Sequence, residues 1–128
     1  MSIAKSLEVL VADDTTVSRA LICETLSQLG IENVRIAKDG KAALDSMMTK
    51  PAHLVLSDYH MPVMDGLQLL EKLRSYKPTS QVGFILITAN SDRALVEKGA
   101  ALGMNNYIAK PFTTPKVKQA IERVVGTL

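Results

Sequence analysis

The chain has 128 residues, a net charge of +2 at neutral pH, and 47% hydrophobic against 22% charged residues. That balance excludes a mainly disordered polymer, and the length allows a core without staples. The lone Cys23 closes no internal disulfide. No apolar run approaches the ~20 residues that a membrane-spanning helix needs, and the N-terminus carries no signal-peptide pattern. The fifteen Lys and Arg are spread from Lys5 to Arg123 without a run, and the five aromatics (Tyr59, Tyr76, Phe84, Tyr107 and Phe112) make no stacking series. Nucleic acid and membrane are therefore not expected partners, and a cytoplasmic monomer is expected.

In chain order, residues 9–12 are apolar on both parities, which predicts a strand buried on both faces; Asp13 and Asp14 follow it. A helix is predicted from about residue 15 to 29, with Val17, Leu21, Leu26 and Leu29 as its buried stripe and Gly30 closing it. Residues 33–37 alternate and predict an edge strand with one face partly wet. Asp39 is a good N-cap for a helix that buries Ala43, Leu44, Met47 and Met48 and ends before Pro51. The apolar run 54–56 predicts a third strand, followed by Ser57 and Asp58. After Gly66 comes a helix using Leu67, Leu70 and Leu73. Strand 84–87 leads to Thr88, and a helix opens at Ser91-Asp92 and stops at Gly103. A weaker strand at 107–109 precedes Lys110-Pro111. The last helix is signalled by Thr114 as N-cap with Pro115 at the first helical position, and it buries Val117, Ala120, Ile121 and Val124. Cys23 falls on the apolar side of the first helix, where an inert thiol is expected.

These five strand–helix units predict one α/β domain over residues 1–128, a doubly wound five-stranded parallel sheet with five helices on its two faces. Such sheets bind ligands outside the carboxyl ends of their strands. On that rim the chain places Asp13, Asp14, Asp58, Thr88 and Lys110. Each has an ordinary reading by itself: a helix cap, a turn hydroxyl, a solvated lysine. Together they are harder to dismiss. Two unit charges ~4 Å apart cost roughly 4 kcal/mol at an effective dielectric near 20, so three crowded carboxylates need protonation, a lysine or a metal. An all-oxygen site with few protein ligands suits Mg²⁺. Metal, ammonium and hydroxyl together suit a phosphoryl group, and a carboxylate there can act as the nucleophile.

Four motifs carry a resemblance. They are Val11-Ala12-Asp13-Asp14, the stretch from Leu56-Ser57-Asp58 through Met61-Pro62 to Asp65-Gly66, Ile87-Thr88-Ala89, and Tyr107-Ile108-Ala109-Lys110-Pro111-Phe112. In this order and spacing the chain resembles the receiver domain of two-component response regulators, most closely the single-domain chemotaxis type. The resemblance implies the flavodoxin-like strand order 2-1-3-4-5. It also implies Asp58 as phosphoacceptor, with Mg²⁺ held by Asp14 and Asp58 directly, by Asp13 through water, and by the backbone carbonyl of His60. Lys110 would contact the phosphate, Thr88 would hydrogen-bond it, and Thr88 with Tyr107 would form the switch. The Lys110–Pro111 peptide would be cis. The implied partners are a chemotaxis histidine kinase, a flagellar motor switch protein and a phosphatase, with Lys98, Met104, Asn106 and Lys116 on the partner surface. The chain would be no enzyme beyond its own phosphorylation and dephosphorylation. A phosphate sink or relay without motor binding is the alternative. An aspartate-based hydrolase is disfavoured because His60 stands where a second acid is needed. A flavin carrier is disfavoured because Asp13-Asp14 would repel an anion. His60 and Asn90 are expected beside the phosphate, setting its lifetime, and the side chain of His60 is expected to face solvent.

Overall fold

The computed structural model describes residues 3–89 and 92–128. After a short 3-10 turn at Ile3–Lys5, five strands alternate with five α-helices among the described residues: β1 (Glu8–Ala12), α1 (Thr16–Gln28), β2 (Asn33–Ala37), α2 (Gly40–Thr49), β3 (Leu54–Asp58), α3 (Gly66–Ser75), β4 (Gly83–Thr88), α4 (Arg93–Ala101), β5 (Asn106–Ala109) and α5 (Thr114–Val125). All pairings are parallel and the order is β2-β1-β3-β4-β5. The doubly wound α/β sheet and its order are thus as expected.

Strand parity sorts the core into two layers, because successive side chains point to opposite faces. Val9, Val11, Leu54, Leu56, Ile85, Ile87 and Ile108 pack with Ile22 and Leu26 of α1 and with Val117 and Ile121 of α5. Leu10, Val55, Phe84 and Leu86 pack instead with Met47 of α2, four leucines of α3 and Leu95 of α4. Edge strand β2 keeps Val34 half-buried and leaves Ile36 exposed.

Helix punctuation follows local chemistry. Asp39, Asp65 and Asp92 each accept a backbone N–H from the first turn, and Asp65 with Gln68 completes a capping box. Helix α1 ends in a Schellman motif: Gly30, at φ +82°, donates to Ser27 O, and Ile31 donates to Leu26 O. Gly103 and Met104 close α4 in the same way on Ala100 O and Gly99 O.

Three expectations need correction. Val17 and Leu21 are 77% and 52% exposed. At about 100° per residue they lie on a different side of α1 from Leu26 and Leu29, and the core takes the stripe carrying Ile22 and Leu26. Met48 is exposed, since Ala43 and Met47 already define the inward line of α2. The cap of α5 is Thr113, which accepts from Lys116 N, while Thr114 opens the helix and donates to Gln28 Oε1. Ser91, expected at the start of α4, lies outside the described residues; Asp92 is the cap.

Candidate functional site

The pairing of β1 and β4 with their neighbours continues one step past the strands, with Asp13 N–H donating to Ala37 O and Lys110 N–H to Thr88 O. Strand parity therefore carries to the rim. Asp13, Asp58 and Lys110 fall in phase with the layer under α1 and α5, whereas Thr88 and Tyr107 fall in phase with the layer under α4. Register pairs Thr88 with Ala109 and Leu86 with Tyr107, so Thr88 and Tyr107 are diagonal neighbours on one face.

Asp13 is fully buried and its oxygens are satisfied. Oδ1 accepts the Thr15 N–H at 2.9 Å and Oδ2 accepts the Ser18 hydroxyl at 2.6 Å. The buried Arg19 donates to the Asp13 carbonyl at 2.8 Å. Asp58 is partly buried at the end of β3, with Oδ1 accepting the Tyr59 N–H at 2.7 Å. The Lys110 ammonium lies between these carboxylates, 3.2 Å from Asp58 Oδ2, 3.4 Å from Asp13 Oδ2 and 2.8 Å from Ser18 Oγ. Asp14 is exposed and has no side-chain partner among the described residues.

Gly66 lets the loop after Asp58 close tightly. A Cβ there would stand 2.4 Å from the Asp58 carbonyl oxygen and 2.9 Å from Leu86, and Gly66 N–H donates to Tyr59 O. The Lys110–Pro111 peptide is cis.

One carboxylate oxygen from each of Asp13, Asp14 and Asp58 lies within 4.8 Å of the other two. This donor set fits a hard divalent cation: three carboxylates face one ammonium, and Asp14 offers uncommitted oxygens. Asp13, with both oxygens engaged, is better placed to reach a cation through water than directly. Thr88 is buried at the rim, and Tyr107 is 40% exposed. The His60 side chain is exposed beside Tyr59, with ring centroids 4.7 Å apart. Asn90 lies outside the described residues. Cys23 is half-buried, and burial pushes its thiol above the usual range, which suppresses the reactive thiolate.

Sequence reading passed over Ser18 and Arg19. Ser18 lies in the first turn of α1, five residues from Asp13, and nothing in its neighbours marks it. An arginine on the inner side of an amphipathic helix, four residues after a rim turn, is a signal that could have found Arg19.

Residues 9–122 match the response regulator receiver domain family. The chain belongs to that family. The receiver is 47% identical to the "Probable chemotaxis protein CheY" of Rhizobium etli, over all of this chain and 99% of the relative. Among solved structures it is similar to the receiver domain of a Pseudomonas aeruginosa sensor histidine kinase with a magnesium ion coordinated in the active site cleft; the TM-score is 0.86 at 30% identity, covering 94% of this chain and 98% of the other. It is also similar to CheY in the Borrelia burgdorferi CheX–CheY–BeF3–Mg complex, with a TM-score of 0.87 at 25% identity, covering 93% and 89%. It is a CheY-like chemotaxis receiver. Among the described residues, no helix is long and apolar enough to cross a membrane.

Proposed function

We propose that Asp58 accepts a phosphoryl group from the phosphohistidine of a chemotaxis kinase, and that the phosphorylated receiver binds a flagellar motor switch protein. The observation that carries this reading is the Lys110 ammonium bridging the carboxylates of Asp13 and Asp58, with the Asp14 carboxylate beside them. In the transfer an Asp58 oxygen attacks phosphorus, the P–N bond breaks, and the imidazole nitrogen keeps the electron pair. Asp13, Asp14, Asp58 and the His60 carbonyl would hold Mg²⁺, which when bound offsets charge on the transferring group and aligns it. Lys110 supplies a fixed positive charge for the incoming oxygens. The Tyr59 N–H orients the Asp58 carboxylate.

An acyl phosphate adds acceptor oxygens at the rim. Thr88 and Lys110 are the donors nearest to answer them, and the space beside Thr88 is bordered by Tyr107. Output then runs to the surface of α4, β5 and α5. A shallow cavity of about 400 Å³ there is lined by Asn106, Tyr107, Lys116 and Arg123; Lys98 instead lines a groove with Asp65, Gln68 and Glu71 on the α3 side of α4, and Met104 packs against the layer that holds Phe84 and Leu86. The CheX bound to the Borrelia relative supports a phosphatase as a further partner. In this reading the chain catalyses only its own phosphorylation and dephosphorylation.

Incubation with a chemotaxis kinase and labelled ATP, with motor binding measured on the same sample, tests the proposal. Wild type should take label and bind the switch protein more tightly; Asp58→Asn should fold and take none. Label uptake by Asp58→Asn at the wild-type rate would remove Asp58 as nucleophile. Label uptake without motor binding would leave a phosphate sink.

A further inference from the structure

Ser18 is the third residue of α1, and the carbonyl four residues before it, that of Asp14, lies outside the helix. Deeper in an α-helix, serine and threonine hydroxyls commonly bond back to the carbonyl four residues earlier. Thr25, Thr49 and Ser75 do so here, on Leu21 O, Asp45 O and Glu71 O. Ser18 instead donates to Asp13 Oδ2 at 2.6 Å and stands 2.8 Å from Lys110 Nζ. Because its proton goes to the carboxylate, its lone pairs face the ammonium, which can only donate. We propose that Ser18 is a positioning residue for Lys110, fixing the ammonium at the phosphoryl-transfer site; this rests on the reading of Asp58 as phosphoacceptor.

An ammonium has three N–H bonds, and Lys110 has three acceptors: Ser18 Oγ, Asp58 Oδ2 and Asp13 Oδ2. Ser18 provides the shortest of these contacts. It is also the neutral one, so it holds the ammonium without adding negative charge where a phosphoryl group must arrive. Without it, the flexible lysine stem lets the charge settle onto the two carboxylates. The lone pair that Asp58 needs for attack is then tied up more tightly. The hydroxyl thus acts on the reaction through Lys110 and touches neither phosphorus nor metal.

Four proteins decide this: wild type and Ser18→Ala, Ser18→Thr and Ser18→Val, the last two alike in shape but differing in the hydroxyl. The first readout needs no turnover: the Lys110 Nζ resonance of lysine-labelled, magnesium-free protein, assigned by its loss in Lys110→Arg. The second is the phosphorylation rate from acetyl phosphate at saturating magnesium, followed by intact mass. There an Asp58 oxygen bonds phosphorus as the P–O bond to acetate breaks and acetate leaves with the electron pair. The expected result is a shifted Lys110 signal and an about three- to tenfold slower rate in Ser18→Ala and Ser18→Val, less than the full worth of a hydrogen bond to a charged group because Lys110 keeps its two carboxylate partners. Ser18→Thr should restore both. If Ser18→Val matches Ser18→Thr in signal and rate, or if the rate falls while the Lys110 signal stays in place, the positioning role is wrong. If wild type takes no phosphoryl group at all, the phosphoacceptor reading fails, and the Lys110 signal still reports whether Ser18 holds the ammonium.

Discussion

Helices α3 and α4 follow adjacent parallel strands, cover the same face of the sheet, and open on the same device, an aspartate accepting a first-turn N–H. Their packing differs. Helix α3 buries Gly66, Leu67, Leu69, Leu70 and Leu73. Just after these, Arg74 reaches across to Gly103 O at 2.9 Å, Asn105 Oδ1 at 3.1 Å and Thr79 O at 3.4 Å. Helix α4 buries only Leu95 and Gly99. Equal local capping therefore produces unequal anchoring, because helices in proteins are stabilised mainly by the apolar face they bury. The helix beside Asp58 is a scaffold. The helix beside Thr88 and Tyr107 has less burial to lose on moving, and Arg74 pins the turn at its C-terminal end.

The sharpest way to break this comparison is to truncate matched leucines. Leu70→Ala should cost about 2–5 kcal/mol of unfolding free energy, as for a fully buried leucine, and Leu95→Ala should fall at or below the low end of that range. Equal losses in urea titrations would show α4 to be as firmly seated as α3. Tyr107→Ala probes the less buried side: under the proposed function, phosphorylation of Asp58 should stay within about twofold, while the ~1–3 kcal/mol tightening of target binding expected of such a switch should largely disappear. A variant that binds and responds like wild type would remove Tyr107 from the switch.

The tie between the two helices can be cut with Arg74→Met, which keeps the apolar stem. Burial already lowers the pKa of this guanidinium, and its carbonyl partners offset that cost. Their loss should destabilise by about 1 kcal/mol, with faster hydrogen exchange at Gly103 and Met104 than along α3. Uniform acceleration across both helices would contradict a local tie. The smallest effect is expected in the loop leading into α3. Val63 sits at φ +72° and is 78% exposed, a left-handed conformation that a β-branched residue adopts at a cost. Val63→Asn should raise stability by about 0.5–1 kcal/mol, read as a higher denaturation midpoint.

Particular residues mark how far sequence reading reached. The apolar runs, Gly30, Gly103 and the aspartate caps are short-range signals, and each lies where its local chemistry put it. The rim residues were legible for a related reason: in a parallel sheet every strand's carboxyl end faces one edge, so Asp13, Asp58, Thr88 and Lys110 share it whatever the strand order. Residues 17 and 21 were misread because α1 carries two apolar stripes, and only the position of the sheet selects between them. Ser18 was invisible because a serine's function depends on what its hydroxyl meets, and its partner Lys110 lies 92 residues away. Sequence alone therefore determined the alternation of elements, the caps Asp39 and Asp92 and the inventory of the rim, all set by neighbours within a few residues or by parity. The tertiary structure alone decided which side of α1 is buried, how unequally α3 and α4 are held, and which hydroxyl holds the lysine. Those outcomes depend on contacts between segments far apart in the chain, which no local pattern encodes.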